Sequence, residues 1–561
     1  MVIVVFTGLA SCVNTKKSER STATVATQQA TTAPSLDKED LYDFLVADLS
    51  TQRQNYDVAA ANYFNLARRT ADASLAESAA RSAMQSGDSK QALSALELWL
   101  DIKPDDERAL ASVVRLYLSE QRIDDAYARL EQIRNGRGKE EGKGFLYVAR
   151  LLAATRQREA ATELIDRLTA AHDGDIDASY ARSYLALQFG QYERANSELE
   201  PVLQQRGDQQ QVILQKTLIL RRMQKNDEAA EFLAAALAKQ PNNVDLRSTY
   251  AGLLIDIERY EDALSQYQRL SELAPDNDQV VFASGLLLLQ LQQIDAAQAQ
   301  FEALYQRGSS NPGVPYNLAR IAEVRENIGD ALRLYSQVTG GQNYTDAQIR
   351  IAVLTAMQGD IPAARAQLSV LRTNIPAMAT QASLTEGGLL QDAKLYDDAI
   401  AVYTEALATQ PDNVQLLYAR SLAYAQIDRF ELFEQDAQAI LAREPDNTDA
   451  LNALGYYLAD RTTRYDEAEK YIKRALELEG DSHFILDSYG WLQFRLGNYD
   501  EALSYIRRAL EIQSDAEISA HLGEILWVTG KRSEARRVWR EAAEQDAGNE
   551  VLQEVMQRFG L

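Results

Sequence analysis

The stretch YDEALSYIRRAL, residues 499–510, decides the fold of this chain. Its apolar residues recur at intervals of three and four, so they form a single stripe along a helix. Asp500, Glu501 and Arg507 fall on the opposite face, toward water. Ala502 stands at the centre of the stripe, where a small side chain allows a second helix to cross closely. The segment therefore predicts an amphipathic helix packed against a neighbour.

The same pattern recurs along the chain, each copy 33 to 35 residues after the last, which gives fifteen copies in all. Their central positions are Ala59, Ala92, Ala126, Ala161, Ala195, Ala229, Ala263, Ala297, Ala331, Ala364, Ala399, Phe433, Ala468, Ala502 and Ala535. Twelve residues before this position the side chain is usually small, and six of the eleven prolines fall twelve residues after it. Since proline ends a helix, the spacing predicts one helix-turn-helix unit per repeat.

The period and these recurring alanine, small-residue and proline positions resemble the tetratricopeptide repeat. That resemblance implies an all-α solenoid, a right-handed superhelix of about fifteen helix-turn-helix repeats. We expect the array to cover residues 39–548 and a C-terminal capping helix to cover residues 549–561. Phe433 replaces the packing alanine of one repeat, and the next carries an extra residue near 461–464, which we expect to change only the local curvature.

Length, composition and charge agree with this interpretation. The 561 residues exceed the roughly 250–300 that one hydrophobic core can serve, and helix-breaking glycine (27) and proline (11) are scarce. The 58 basic residues are outnumbered by 82 acidic ones, so the net charge is −24. Such a surface repels phosphate backbones, which makes nucleic acid an improbable partner.

The amino terminus carries the one cysteine of the chain, Cys12. The apolar run at residues 2–10 is too short to span a bilayer, which takes about 20 residues. Its end, Leu9-Ala10-Ser11-Cys12, resembles a bacterial lipobox, so residues 1–12 are predicted to be a lipoprotein signal peptide with Cys12 as the lipidation site. The alternative is an incidental thiol beside an ordinary signal peptide. Because the start lacks basic residues, we expect the true signal sequence to begin further upstream.

Residues 13–38 are rich in Ser, Thr, Ala and Gln and show no apolar periodicity, which predicts a disordered tether. Val13 follows the cysteine where an inner-membrane retention signal would place aspartate. By resemblance to lipoprotein sorting, the expected location is therefore the outer membrane, with the array on the periplasmic face.

Motifs that could carry chemistry are weak. The glycine-rich residues 135–144 lack the strand and the Gly-Lys-Ser/Thr ending of a phosphate-binding loop, which favours a solvated loop between repeats. His521 and Glu524 lie one turn apart, but zinc would require further ligands. We therefore predict no catalytic residue, cofactor, metal or small-molecule substrate, and a protein that is not an enzyme.

Protein binding is the function that this architecture favours. In tetratricopeptide repeats the first helix of each pair lines the concave side, and its inward positions are the candidate protein-binding residues. They are Tyr316, Arg320, Tyr418, Tyr456, Trp491, Phe494, Arg495 and Trp527. Aromatic and arginine side chains dominate binding energy at interfaces. The alternative is that several of them only pack between adjacent repeats.

Three strings near the carboxy terminus, LNALGYYLADRT from Leu451, ILDSYGW from Ile485 and EISAHLGEILW from Glu517, add to the lipobox. Together they resemble a family of proteobacterial tetratricopeptide-repeat lipoproteins of the outer membrane, which includes the binding partner of a periplasmic carboxy-terminal processing protease. The resemblance implies an adaptor that holds this protease and delivers cell-wall hydrolases to it. A scaffold for polysaccharide export or envelope assembly is the alternative, and composition and periodicity do not separate the two.

Overall fold

The computed structural model describes residues 38–137, 143–546 and 548–561. These residues form 31 α-helices and a short 3-10 helix at Pro376–Met378, and no strand occurs among them. The chain divides into two compact units, Met1–Gln300 and Phe301–Leu561. The signal peptide, Cys12 and almost all of the tether predicted for residues 13–38 lie outside the described residues.

The helices are numbered in chain order. The described part of the first unit contains α1 Lys38–Gln52, α2 Tyr56–Thr70, α3 Ala73–Ser86, α4 Ser89–Ile102, α5 Glu107–Ser119, α6 Ile123–Arg137, α7 Lys143–Ala153, α8 Arg158–Ala170, α9 Ile176–Gln188, α10 Tyr192–Arg206, α11 Gln210–Arg222, α12 Asn226–Lys239, α13 Val244–Asp256, α14 Tyr260–Leu273 and α15 Asp278–Gln290. The next helix is α16 Ile294–Gln306.

The second unit continues with α17 Gly313–Val324, α18 Ile328–Tyr335, α19 Tyr344–Met357, α20 Ile361–Asn374, α21 Ala379–Asp392, α22 Tyr396–Thr409, α23 Val414–Gln426, α24 Phe430–Arg443, α25 Thr448–Arg461, α26 Tyr465–Leu478, α27 His483–Leu496, α28 Tyr499–Ile512, α29 Ala516–Val528, α30 Arg532–Gln545 and α31 Glu550–Arg558. Helices α1 to α30 pair in order, and we call the first helix of each pair the A helix and the second the B helix.

The repeat predicted from the sequence is confirmed in its packing. All fifteen central positions, from Ala59 to Ala535, are 0% exposed. Each lies on a B helix, where it faces the A helix of its own pair. The chain is therefore an all-helical tetratricopeptide-repeat solenoid in which one column of small residues allows the helices of each pair to approach.

The small residues twelve positions before each central position lie on the A helices, and their size has a direct steric cause. A methyl group on Gly490 would lie 2.7 Å from Cγ1 of Ile506, the large residue four positions after Ala502. The same placement on Gly523 would overlap the ring of Trp539, which is itself 0% exposed. The glycine on the A helix and the large side chain on the B helix are thus two halves of one contact.

The turn between the A and B helices uses a left-handed residue that the sequence analysis missed. Five residues before the central position, thirteen repeats place a residue with positive φ: Gln54, Gly87, Gln121, Gly190, Gln224, Glu258, Gln292, Glu326, Gly359, Lys394, Asp428, Gly497 and Gly530. Eight of these are not glycine, so the turn holds a conformation that L-residues adopt at a cost of about 1 kcal/mol or more.

Proline lies in connections from a B helix to the next A helix, where the sequence spacing predicts the end of a repeat. Pro411 lies between α22 and α23, and Asn413 then caps α23 by accepting a hydrogen bond from the backbone N–H of Leu416 at 3.1 Å. Pro445 and Asn447 repeat the arrangement before α25. Proline ends one helix and the amide side chain satisfies a free N–H of the next.

The two irregular repeats predicted from the sequence, at Phe433 and near residues 461–464, differ from the others in local packing. Phe433 is fully buried and packs on Tyr457 with ring centroids 4.6 Å apart, so an aromatic contact replaces the usual alanine. The extra residue of the next repeat extends the connection between α25 and α26, where Thr462 is extended. Of the glycine-rich residues 135–144, those up to Arg137 belong to α6 and those from Lys143 belong to α7, so they are helical rather than part of the predicted loop; residues 138–142 lie outside the described residues.

Helix α31 lies within residues 549–561, the segment predicted to form a capping helix. Its Leu552 and Val555 are buried against the last hydrophobic cluster, which includes Trp539. Its opposite face is polar, so it closes the apolar end of the final repeat. Within the described ranges, no helix combines the length and hydropathy that a membrane span requires.

Candidate protein-binding surface

The last three A helices, α25, α27 and α29, lie side by side, with α27 in contact with both of the others. We call the surface that they form the A-helix face. Each comes from one repeat, so residues about 34 apart in the chain become neighbours across this face. The sequence strings quoted above for the carboxy-terminal third supply these three helices.

A buried histidine lies at the centre of the A-helix face. The Nδ1 atom of His521 on α29 is 3.0 Å from both carboxylate oxygens of Asp487 on α27, and Nδ1–H donates to them. Its Nε2 atom is 3.4 Å from the hydroxyl of Tyr456 on α25. The Trp491 ring stacks on the imidazole with centroids 4.2 Å apart. Three successive repeats are therefore joined through one polar cluster.

The charge of this cluster is set by its carboxylates. Burial alone lowers the pKa of His521, but the charge and hydrogen bonds of Asp487, helped by Glu517 and Asp460, raise it overall. Burial also raises the pKa of the Tyr456 hydroxyl well above its ordinary range, so this tyrosine stays neutral. The Asp487 carboxylate therefore favours the protonated form of His521, and the contacts of Nδ1 with Asp487 and of Nε2 with Tyr456 leave neither ring nitrogen free for a metal.

Metal binding finds no support elsewhere in the described ranges, where no group of three or more His, Cys, Asp or Glu side chains is arranged to hold an ion. Glu524, which the sequence analysis considered beside His521, forms an ion pair with Arg558 of the capping helix instead.

Four of the predicted binding residues, Tyr456, Trp491, Phe494 and Arg495, lie close to one another. Trp491 is only 6% exposed, and its Nε1–H donates to Asp460 at 3.1 Å. Phe494 packs on Trp491 at 5.0 Å, and Arg495 donates to the backbone carbonyl of Asp460. Most of these groups therefore have partners inside the array, and Trp491 has little surface left for another protein.

Trp527 lies apart from this group, at the carboxy-terminal end. Its ring packs against Trp539 at 5.8 Å and Phe559 at 5.3 Å, while the guanidinium groups of Arg532 and Arg536 lie over it. Trp527, predicted as a binding residue together with Tyr456, Trp491 and Phe494, is thus separated from them because it packs against the capping segment.

The remaining predicted residues lie on earlier A helices. The Tyr316 hydroxyl donates to Asp346 at 2.7 Å, and Arg320 lies 6.0 Å from the Tyr316 ring. Burial and the Asp346 carboxylate raise the pKa of Tyr316 to about 12. Burial, with Asp449 and Tyr457, likewise raises the pKa of Tyr418 to about 12. Both tyrosines are half-buried, so contacts between repeats account for much of their surface, and their role in binding stays a prediction.

An open recess of about 180 Å³ adjoins the buried histidine on the A-helix face. We call it the terminal recess. It is lined by residues from α25, α27 and the start of α29, namely Asn452, Ala453, Tyr456, Tyr457, Phe484, Asp487, Ser488, Asp515, Glu517 and Ile518. Of these, only Tyr456 was predicted as a site residue.

Two of the missed residues could have been found from the repeat itself. Asp487 and His521 are 34 residues apart, which is one repeat length, and both lie on A helices. A polar pair at that spacing predicts contact between neighbouring repeats. Glu517 and Phe484 gave no such signal, since isolated acidic and aromatic residues occur on many faces of the array.

Comparisons with known proteins agree with this architecture. The family model for the tetratricopeptide repeat matches residues 251–312, 282–347, 384–441, 434–483 and 489–550, and a second model of the same description matches residues 220–281. A TPR repeat-containing protein of Pseudomonas aeruginosa is 32% identical over 490 residues, which cover 87% of this chain and 83% of that protein. The chain belongs to the tetratricopeptide-repeat proteins. This family membership covers both units.

Solved tetratricopeptide-repeat structures resemble the chain only loosely. A chain of the APC/C hetero-tetramer Cut9–Hcn1 is 16% identical with a TM-score of 0.34, covering 94% of this chain and 97% of its own length. Yeast Tom70 is 13% identical with a TM-score of 0.33, covering 93% of this chain and 95% of its own length. At these scores the comparisons carry no argument about function.

Proposed function

We propose that this tetratricopeptide-repeat protein is a non-catalytic adaptor of the bacterial periplasm that binds other proteins along its A helices. Its partners under this proposal are a carboxy-terminal processing protease and the peptidoglycan hydrolases that the protease degrades. The adaptor brings the two together, so its contribution to the reaction is proximity rather than chemistry.

The observation that supports binding most directly is the terminal recess on the A-helix face. It is open, has aromatic walls at Tyr456, Tyr457 and Phe484, and lies on three rigid helices rather than on a loop. Phe484 is 56% exposed, so its ring is available to a partner. A rigid surface with an exposed aromatic ring is typical of a protein-binding site.

Location is the second part of the proposal. We infer that Cys12 carries acyl chains and that residues 13–38 tether the array to the periplasmic face of the outer membrane. The lipobox resemblance and the composition of the tether support this inference. Each buried acyl methylene contributes about 0.8 kcal/mol, so two or more chains would hold the protein firmly at the membrane.

Reconstitution tests the adaptor function. The purified full chain, a carboxy-terminal processing protease and a peptidoglycan hydrolase are combined, and hydrolase cleavage is followed by gel electrophoresis. We expect the chain to accelerate cleavage, to cause none when the protease is catalytically inactive, and to inhibit at high concentration as protease and hydrolase occupy separate adaptors. Cleavage at an unchanged rate over the whole concentration range would refute the adaptor function and leave the export scaffold as the alternative.

A further inference from the structure

The terminal recess has an uneven charge. Three ionisable carboxylates line it, Asp487, Asp515 and Glu517, and no lysine or arginine is among its lining residues. Elsewhere in the described residues, carboxylates of this kind commonly pair with arginine, as Asp436 does with Arg420 at 2.8 Å. The recess therefore has an excess of negative charge that no basic side chain of its own walls balances.

Only one of these three carboxylates has neither an ion pair nor a capping hydrogen bond among the described residues. Asp487 is paired with His521, and Asp515 accepts hydrogen bonds from the backbone N–H groups of Glu517 and Ile518 at 2.9 and 3.0 Å, as the cap of α29. No ion pair to Glu517 occurs among the described residues. Although part of Glu517 is exposed, the desolvation of its carboxyl by neighbouring side chains raises its pKa, and the nearby Asp487 and Asp515 raise it further against the opposing effect of His521.

A second and independent feature is an acceptor without a donor. Asn452 on α25 lines the same recess, and its Oδ1 atom is buried yet accepts no hydrogen bond from the described residues. A buried acceptor left unsatisfied costs free energy, and a donor seated in the recess would relieve that cost once the Asn452 side chain turns toward it. An ammonium or guanidinium group supplies several donors and no acceptor.

The aromatic walls suit a cation as well. Tyr456 and Tyr457 meet edge to face with centroids 5.6 Å apart, and the exposed Phe484 ring borders the same space. The face of an aromatic ring attracts a cation, most strongly where water is partly excluded. The volume of about 180 Å³ admits the end of one extended side chain rather than a folded segment.

We propose that the terminal recess binds a basic side chain, lysine or arginine, of a protein partner, with Glu517 and Asn452 as acceptors and the Tyr456, Tyr457 and Phe484 rings as walls. This inference rests on the proposed function, since it requires that a protein partner reaches the A-helix face. It names the chemistry by which that partner is recognised. The stem of the side chain lies along the rings, and its charge neutralises Glu517.

Saturation-transfer NMR on the full chain tests the proposal, because it detects weak ligands of large proteins. The probes are N-acetylated, C-amidated peptides of sequence GSGXGSG in which X is lysine, arginine, norleucine or glutamate. We expect the lysine and arginine peptides to bind, and the norleucine and glutamate peptides to bind at least about tenfold more weakly. Equal affinity for the lysine and norleucine peptides would overturn the proposal.

Two variants locate the binding. Glu517→Gln removes the free carboxylate and keeps its shape, and we expect it to weaken the lysine peptide about five- to tenfold. Glu511→Gln is the matched control, because Glu511 is exposed on the preceding B helix, does not line the recess and carries the same charge. Identical affinities for the two variants would overturn the proposal, provided that their melting temperatures show that both are folded.

The same variants separate this inference from the adaptor function. If the chain accelerates hydrolase cleavage and Glu517→Gln is as effective as Glu511→Gln at limiting concentration, the adaptor function holds and the recess inference fails. If the wild-type chain binds the lysine peptide but leaves the rate of hydrolase cleavage unchanged, the recess does bind a basic side chain and the proposed adaptor function is refuted.

Discussion

Two neighbouring glycines of α21 allow the packing of a repeat to be tested with a built-in control. Gly387 is buried, and a methyl group added to it would overlap the ring of Tyr403 on α22. Gly388, the next residue of the same helix, has open space where its methyl group would go. We predict that Gly387→Ala destabilises this repeat, whereas Gly388→Ala stabilises it.

The magnitude follows from two opposing effects. Alanine is favoured over glycine inside a helix by about 0.5–1 kcal/mol, and this gain is the same for both variants. Tyr403 is 1% exposed and its hydroxyl accepts a hydrogen bond from Gln391 at 2.8 Å, so its ring has nowhere to move freely. Overpacking of such a site costs about 1–3 kcal/mol. The difference between the variants therefore isolates the clash, at about 1–3 kcal/mol.

Hydrogen exchange with mass spectrometry is the suitable assay, since an array of repeats opens locally and a single unfolding free energy does not describe it. Peptides from α21 and α22 should lose protection in Gly387→Ala and gain it in Gly388→Ala, while peptides from α2 to α4 remain unchanged. If Gly387→Ala protects these helices as much as Gly388→Ala does, the close contact of Gly387 with Tyr403 does not stabilise the packing of α21 on α22.

Four further predictions follow from other parts of the chain. Cys12→Ala, made with the full signal sequence, should move the protein from the membrane fraction to the soluble periplasm; retention in the membrane would exclude lipidation at Cys12. Trp491→Ala should destabilise the region of α27 and α29 by about 3–5 kcal/mol, because the ring is buried against His521, whereas the half-exposed Leu478→Ala should have little effect in the same exchange experiment. Gln224→Gly should raise the melting temperature slightly, since Gln224 holds φ at 60°, while Gln224→Ala should not. Protection of α29 should fall as pH rises above the ordinary histidine value of 6.5, because the pKa of His521 is raised in the folded protein and its contribution to stability is lost as the imidazole deprotonates. His521→Gln should flatten this dependence, and an unchanged slope in that variant would contradict the assignment to His521.

The repeat was predictable because its determinants are local and periodic. The central alanines, the small column and the prolines each repeat at about 34 residues, so every copy supports the assignment of the others. The left-handed turn found before thirteen of the fifteen B helices was not predictable in the same way. Gln224, Glu258, Lys394 and Asp428 occupy it without the glycine that normally marks positive φ, because the helices on either side impose the conformation.

The candidate site was predictable only in part. Equivalent positions on neighbouring A helices account for the proximity of Tyr456, Trp491, Phe494 and Arg495. It did not tell which of them remain exposed, since that depends on what the adjacent repeat supplies. Within the array, the Trp491 ring stacks on His521 and its Nε1–H donates to Asp460. The capping segment covers part of Trp527. The residues left open, Phe484 and Glu517, carry no pattern that separates them from ordinary surface.

The central claim is that partners bind this chain on the A-helix face of its last repeats. Site-specific photo-crosslinking tests it most directly, with benzoylphenylalanine placed at Phe484 in the terminal recess or at Leu478, another exposed apolar residue, at the end of a B helix. With purified protease and hydrolase present, we predict a crosslinked product from position 484 that excess lysine peptide suppresses, and none from position 478. Crosslinking from position 478 alone, or equally from both positions and insensitive to the peptide, would contradict the account.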